Sequence, residues 1–317
     1  MSDQAAGLSP ALTREALGKR RGRWRQYGFY YLMLAPALLG FLVFHYFPMY
    51  GVIMAFKNYR FIDGIWGSPW IGLDNFNQLF GDMFFWRILR NTLIISGLHI
   101  LFGFPAPILL ALLFNELANG SFKRVVQTIS YLPHFMSWVI LSGIMIELLS
   151  PSRGALNYVI TLFGGEPIHF LANPDTFVGV LVVSHLWQSV GWGSIIYLAA
   201  IAGINQDQYE SATIDGANRF HQIRYITLPS LVPVMTVLFI LNVGGVMNAG
   251  FDQIFNLYNP AVYSVADIID TYVYRIGLID TKYGFSTAVG LFKNVVALVL
   301  VVGTNYIVKR FNEYGIW

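Results

Sequence analysis

Residues 210–229 read Glu210-Ser-Ala-Thr-Ile-Asp-Gly216-Ala-Asn-Arg-Phe-His-Gln-Ile-Arg-Tyr-Ile-Thr-Leu-Pro229, a polar stretch set between two apolar runs. Two helical patterns meet in it. Residues 206–215 can wind into a helix with Tyr209, Ala212 and Thr213 on one side, and beyond them Phe220, Ile223 and Ile226 recur at helical spacing. Gly216 separates the two, because glycine reaches backbone angles that close a helix without a Cβ clash. Pro229 opens the next apolar run, at a first-turn position where its missing N–H costs nothing. The pattern predicts a short helix held crosswise at a membrane surface, with Gly216 as its pivot.

Composition supplies the membrane. Of 317 residues, 56% are hydrophobic and 12% charged, about half the charge of an ordinary soluble domain, and the mean hydropathy is +0.55. Apolar runs at about 29–56, 91–114, 125–149, 177–204, 231–250 and 285–308 are each of a length that crosses a hydrocarbon core of about 30 Å. The fold class is therefore all-α, a polytopic bundle of about six spans. Pro36 and Pro48 bend the first run, and Pro105 and Pro107 kink the second.

Charge orients the bundle. Arg14, Lys19, Arg20, Arg21, Arg23 and Arg25 precede the first run and read as a positive-inside anchor rather than a nucleic-acid surface. The run after them is too long for a signal peptide and lacks a small-residue cleavage site. Segments on the anchor's side hold 12 Lys and Arg, against 7 on the far side. Both termini and the loop at about 205–229 are thus expected in the cytoplasm, with Asp74, Glu166 and Asp267 outside. The organisation is a basic segment, 1–28, followed by a transmembrane domain, 29–317. The far-side loops are 57–90, rich in interfacial aromatics, 150–176, with a short amphipathic helix from about 157 to 163, and 251–284, with four aspartates.

Missing motifs exclude several chemistries. The Gly18-Lys19 dipeptide lacks the rest of a phosphate-binding loop, so the chain holds no ATPase site of its own. There is no His-Glu-x-x-His, no Gly-x-Ser-x-Gly and no pair of acids within a run, which argues against a membrane protease, an esterase or a proton-coupled carrier. The chain has no cysteine and no second histidine at metal-ligand spacing, so neither a metal nor any other cofactor is expected in it. His99 and His134 read as structural.

Polar residues inside the runs mark a path. His185, Gln188 and Trp192 follow one another at i, i+3 and i+7, and Gly191 and Gly193 beside them allow close approach of a partner or ligand. Asn242 and Asn248 share a face of the fifth run, and Lys293 with Asn294 lies inside the sixth, where an unpaired charge facing lipid costs about 3 kcal/mol or more. Helix-to-helix hydrogen bonding is the other reading of each. An aromatic face with amides is what a sugar site uses, which favours Gln188, Trp192 and Asn248 as a set.

Glu210, Ala212, Gly216, Ile226, Leu228 and Pro229 match, at every spacing, the cytoplasmic "EAA" loop of the membrane subunits of bacterial type I ABC importers, with Ser211 in place of an alanine. The segments Trp70-Ile-Gly-Leu-Asp-Asn-Phe76 and Tyr131-Leu-Pro-His-Phe-Met-Ser-Trp138, and the tail, resemble the carbohydrate class, in particular the LplB group that imports oligosaccharides such as alginate or pectin fragments. The resemblance implies a permease subunit in the bacterial cytoplasmic membrane, working with a second, related but different, permease subunit, two ATPases that bind ATP and Mg, and an extracytoplasmic substrate-binding protein. It implies that Glu210, Ser211, Ala212, Asp215, Gly216, Leu228 and Pro229 carry the coupling to the ATPases. A membrane-embedded sensor or docking scaffold without transport is the alternative.

Overall fold

In the computed structural model the described residues are 27–118 and 120–311, so the basic cluster from Arg14 to Arg25 and the end of the tail lie outside them. Among the described residues the secondary structure is helical, apart from an isolated antiparallel bridge between Lys57 and Trp70. Four helical runs are long and apolar enough to cross a membrane: Tyr27–Phe56, Met83–Glu116 (span two), Arg219–Leu257 (span five) and Tyr283–Arg310 (span six). Two bent pairs bring the number to six, Ser121–Phe135 with Trp138–Leu148 (span three) and Pro174–Ala202 (span four) with Gln206–Ile214. The chain divides into two compact units, one ending at Ile53 and the other beginning at Met54.

The first unit presents apolar side chains all round, with Leu32, Phe29 and Phe44 each more than two-thirds exposed, as a helix in lipid does. Pro48 is absorbed by a wider turn. Residues Leu42–Tyr46 form a π turn in which the Phe47 N–H reaches back five residues to the Leu42 carbonyl, immediately before Pro48. The second unit repeats the device. Leu228 N–H donates to Ile223 O across the π turn Ile223–Thr227, and Pro229 follows. The helix is therefore continuous through Pro229 instead of starting there, because widening the turn removes the need for the N–H that proline lacks.

Span three departs furthest from the sequence expectation. It bends by 106°, because Leu132–Phe135 is a 3-10 turn opened by Pro133 and Met136 and Ser137 are extended before Trp138–Leu148 begins. Neither half alone is long enough to cross the hydrocarbon core, the second being 11 residues.

Three buried clusters hold the second unit. Span two joins spans four and five through Ile108, Ala111, Tyr197, Ile201 and Leu231. Leu79, Phe85, Ile88, Phe285 and Val289 tie the far-side helix Asp74–Gly81 to spans two and six. A third cluster brings Ile95, Phe177 and Leu181 against Ile254, Val262 and Ile268, so the far-side segment after span five is packed structure rather than an open loop. Its polar groups are paired: Asp267 receives Arg275 at 2.6 Å, Asn91 donates to the Ser264 and Asp267 carbonyls, and Tyr272 donates to Asp82 at 2.8 Å. Burial, and then the bond to Asp82, push the Tyr272 hydroxyl above its ordinary range, so it remains a donor.

The helix expected near 157–163 is Ala155–Leu162. Asn157, 2% exposed, locks it: Nδ2 donates to the Leu149, Ser150 and Ile168 carbonyls, and Oδ1 accepts from the Ile168 N–H. Asn157→Ala strands these groups, and a loss of about 2 kcal/mol is expected. It would read as a lower melting temperature in detergent, with Asn157→Asp losing nearly as much.

Candidate functional site: a membrane-embedded cavity and a polar loop

Spans two, four and five line an open cavity of about 500 Å³. Span two contributes Ser96, His99 and Gly103, at steps of three and four residues that place them on one face. Span four contributes His185, Ser189 and Gly193, and span five Asn242, Asn248 and Gly250. Glycine permits the close approach: a Cβ at Gly193 would stand 3.0 Å from the Pro107 ring. The His99 and His185 rings stack face to face, with centroids 4.1 Å apart and an interplanar angle of 13°.

Span five is unwound where it meets the cavity. A 3-10 turn, Val246–Asn248, leads to Ala249 at φ 46° and Gly250 at φ 79°, after which Phe251–Leu257 resumes the helix. A non-glycine residue in the left-handed region, 4% exposed, stores backbone strain of about 1–3 kcal/mol, and such strain clusters at binding sites.

Of the seven residues expected along the path, the cavity takes in His185, Asn242 and Asn248. Its wall on span four is centred between Ser189 and Gly193, so Gln188 and Trp192 lie to one side. Trp192 instead stacks on His134, at 4.7 Å and 1°, and meets Phe135 edge-on at the bend of span three. Asn294 is exposed on span six. Lys293 is paired with Asp270 at 2.5 Å, the two side chains 14% and 21% exposed. This pair fastens span six to the far-side segment. Lys293→Met should cost about 2 kcal/mol, below the value of about 3–5 for a fully buried pair because both groups keep some water. Adding Asp270→Asn should recover most of the lost thermal stability, which a purely steric effect would not allow.

Sequence reasoning missed His99 as a cavity residue. The Ser96, His99, Gly103 stripe was its signal, a polar and small face within an apolar run.

The loop lies at the other end of span four. After Ala202 the chain bends by 71° into Gln206–Ile214, capped by Asn205, whose side chain accepts from the Asp207 N–H. Its far end closes with the two bonds of a glycine-terminated helix, Gly216 N–H to Thr213 O and Ala217 N–H to Ala212 O, with Gly216 at φ +80°. Glu210, Ser211, Asp215 and Gly216 are exposed, and Ile214 is 86% exposed at the tip. Ala212 and Leu228 are half-buried, and Pro229 is exposed.

The inner side of the loop is pinned. Tyr209 Oη and Thr227 Oγ1 share a 2.8 Å bond, Gln222 donates to Thr213, and Arg219 pairs at 2.6 Å with Glu116 at the end of span two. The Glu116 pair is exposed and contributes little energy, but it sets the loop against span two. Among the described residues no group of three or more acidic or histidine side chains could hold a metal ion.

A family model described as "Binding-protein-dependent transport system inner membrane component" matches residues 103–313. Protein LplB of Bacillus subtilis (strain 168) is 45% identical over 298 residues, 94% of this chain and 92% of its own length. The polygalacturonan/rhamnogalacturonan transport system permease protein YteP of the same organism is 44% identical over 292 residues, 92% of this chain and 91% of its own. A crystal structure of a bacterial ABC transporter involved in the import of the acidic polysaccharide alginate matches with a TM-score of 0.86 at 43% identity, covering 92% of this chain and 99% of that one. The same score holds for the alginate transporter in complex with alginate pentasaccharide-bound periplasmic protein. The family so described is a membrane component of transport systems that depend on a binding protein, not an enzyme family, and the alginate transporter is seen in complex with its periplasmic protein. With the model covering most of its length, the chain belongs to the binding-protein-dependent transport system inner membrane component family and is the membrane-spanning permease subunit of an ABC importer.

Proposed function

We propose that this permease conducts an acidic oligosaccharide, of the kind its polygalacturonan/rhamnogalacturonan and alginate relatives are named for, through the cavity between spans two, four and five. The observation that carries the reading is the continuity of span four. One helix of 29 residues bears His185, Ser189 and Gly193 at the cavity and ends at the bend into Gln206–Ile214. A rigid helix transmits a push at its end over its whole length, about 43 Å at 1.5 Å per residue. An ATPase that grips Glu210, Ser211, Ala212 and Asp215 can therefore move the cavity wall as its nucleotide site closes, with Gly216, Leu228 and Pro229 fixing the return path.

The assembly proposed has a second, related permease subunit, two ATPases that bind ATP and Mg, and an external binding protein, in the bacterial cytoplasmic membrane with both termini inside. The loop alone would also serve a docking scaffold, but a cavity between the spans with histidine, serine and asparagine on its wall favours a pore. Purification of the tagged chain from its native membrane tests the assembly: an ATPase and a second permease should co-elute, and elution of the chain alone would count against it. In the same cysteine-free chain, Ser211→Cys should escape an impermeant maleimide in intact cells and react after lysis. Labelling before lysis would invert the topology.

A further inference from the structure

We propose that His99 and His185 form a subsite for the carboxylate of an acidic saccharide, and that this pair sets the preference for charged over neutral oligosaccharides. The inference rests on the cavity being the substrate path. Its physical basis is a charge problem. A carboxylate entering a cavity within the membrane sheds water and needs a compensating cation or donor. No Lys or Arg lines this cavity, and the two imidazoles are the side chains on its wall that can take a positive charge. They come from different helices and meet face to face at 4.1 Å.

Two polar atoms on this wall have no hydrogen-bond partner in the protein, although both are buried: His99 Nε2 and, one turn earlier, Ser96 Oγ. Buried polar atoms are ordinarily satisfied, so two orphaned ones beside one cavity are donors that a ligand can meet only when the ring or hydroxyl turns toward it. Glycines keep the ring flanks clear. A Cβ at Gly103 would stand 3.8 Å from His185 Cδ2, and one at Gly250 would stand 3.6 Å from His99 Cε1. Two imidazolium rings stacked at this distance repel, so the empty cavity keeps at most one of them charged. An arriving carboxylate accepts a hydrogen bond from an imidazole N–H, and its negative charge beside the pair favours protonation of one ring. Ser189, Asn242 and Asn248, on the same wall, are left to meet sugar hydroxyls.

The test uses the permease assembled with its partner subunits in lipid nanodiscs, with a galacturonate trisaccharide and its fully methyl-esterified form as probes. Diethyl pyrocarbonate modification of His99 and His185, read by mass spectrometry, should slow about tenfold with the acid and stay unchanged with the ester, as one charge-assisted hydrogen bond implies. The His99→Gln/His185→Gln double variant should bind the acid about tenfold more weakly, with its acid-to-ester binding ratio falling by the same factor. Equal protection by both forms, absence of protection by the acid, or an unaltered ratio in the variant would overturn the proposal. A wild-type assembly that binds and transports neither form overturns the oligosaccharide reading itself, which separates the two failures.

Discussion

Replacing Gly216 by valine should abolish binding-protein-stimulated ATP hydrolysis and transport together, while the chain still folds and inserts. Gly216 sits at φ +80°, where a β-branched residue costs about 1–3 kcal/mol. A Cβ there meets nothing within 4 Å, so the cost is confined to the backbone. The chain can relieve the strain by giving up the Gly216 to Thr213 and Ala217 to Ala212 bonds, and the helix Gln206–Ile214 then loses its fixed direction. Because no residue of that helix is buried, the core packing should stay intact, with the Tyr209–Thr227 and Gln222–Thr213 bonds the ones to yield. A strain of this size shifts a conformational balance by roughly tenfold or more. Gly216→Asn, which tolerates the left-handed region, should keep most of the activity. Uptake and ATPase assays on both variants separate geometry from bulk, and full coupling in Gly216→Val would reduce the loop to a connector.

Gly191→Ala should have the largest structural effect. A Cβ at this position runs into the Ser130 carbonyl, 2.5 Å from its carbon and 3.1 Å from the Tyr131 nitrogen. These are backbone atoms of the helix Ser121–Tyr131 and cannot rotate aside, so the two helices must separate, at about 3 kcal/mol or more. Little monodisperse protein is expected by fluorescence-detected size exclusion. Gly179→Ala, on the same helix with nothing within 4 Å of its Cβ, should behave as wild type. Equal behaviour of the two variants would mean that the helices do not meet at Gly191.

What the sequence could and could not reveal divides along physical lines. The loop was legible because its signals are local: a Gly stop and a polar window between apolar runs. The bends were less so. Pro133 announces a break but not its angle, since 106° depends on the extended Met136 and Ser137 as well. Pro229 was expected to open a helix, but the π turn ahead of it, which leaves no mark in composition, lets the helix run on. The cavity was half legible. His185, Asn242 and Asn248 were found from polarity inside apolar runs, whereas Trp192 was placed on the same face by a helical wheel that cannot know span three lies beside it. His99 became meaningful only when span four brought His185 onto its ring, a contact between residues 86 positions apart.

The central claim is that this chain forms an ATP-driven path for an acidic oligosaccharide. Uptake into proteoliposomes tests it most directly, with the permease assembled with its co-purified subunits, ATP supplied on the loop side and the binding protein loaded with a radiolabelled uronate oligosaccharide on the other. The account requires accumulation that depends on both ATP and the binding protein and that is lost in Gly216→Val. ATP hydrolysis without accumulation, or accumulation that persists without ATP, would contradict it.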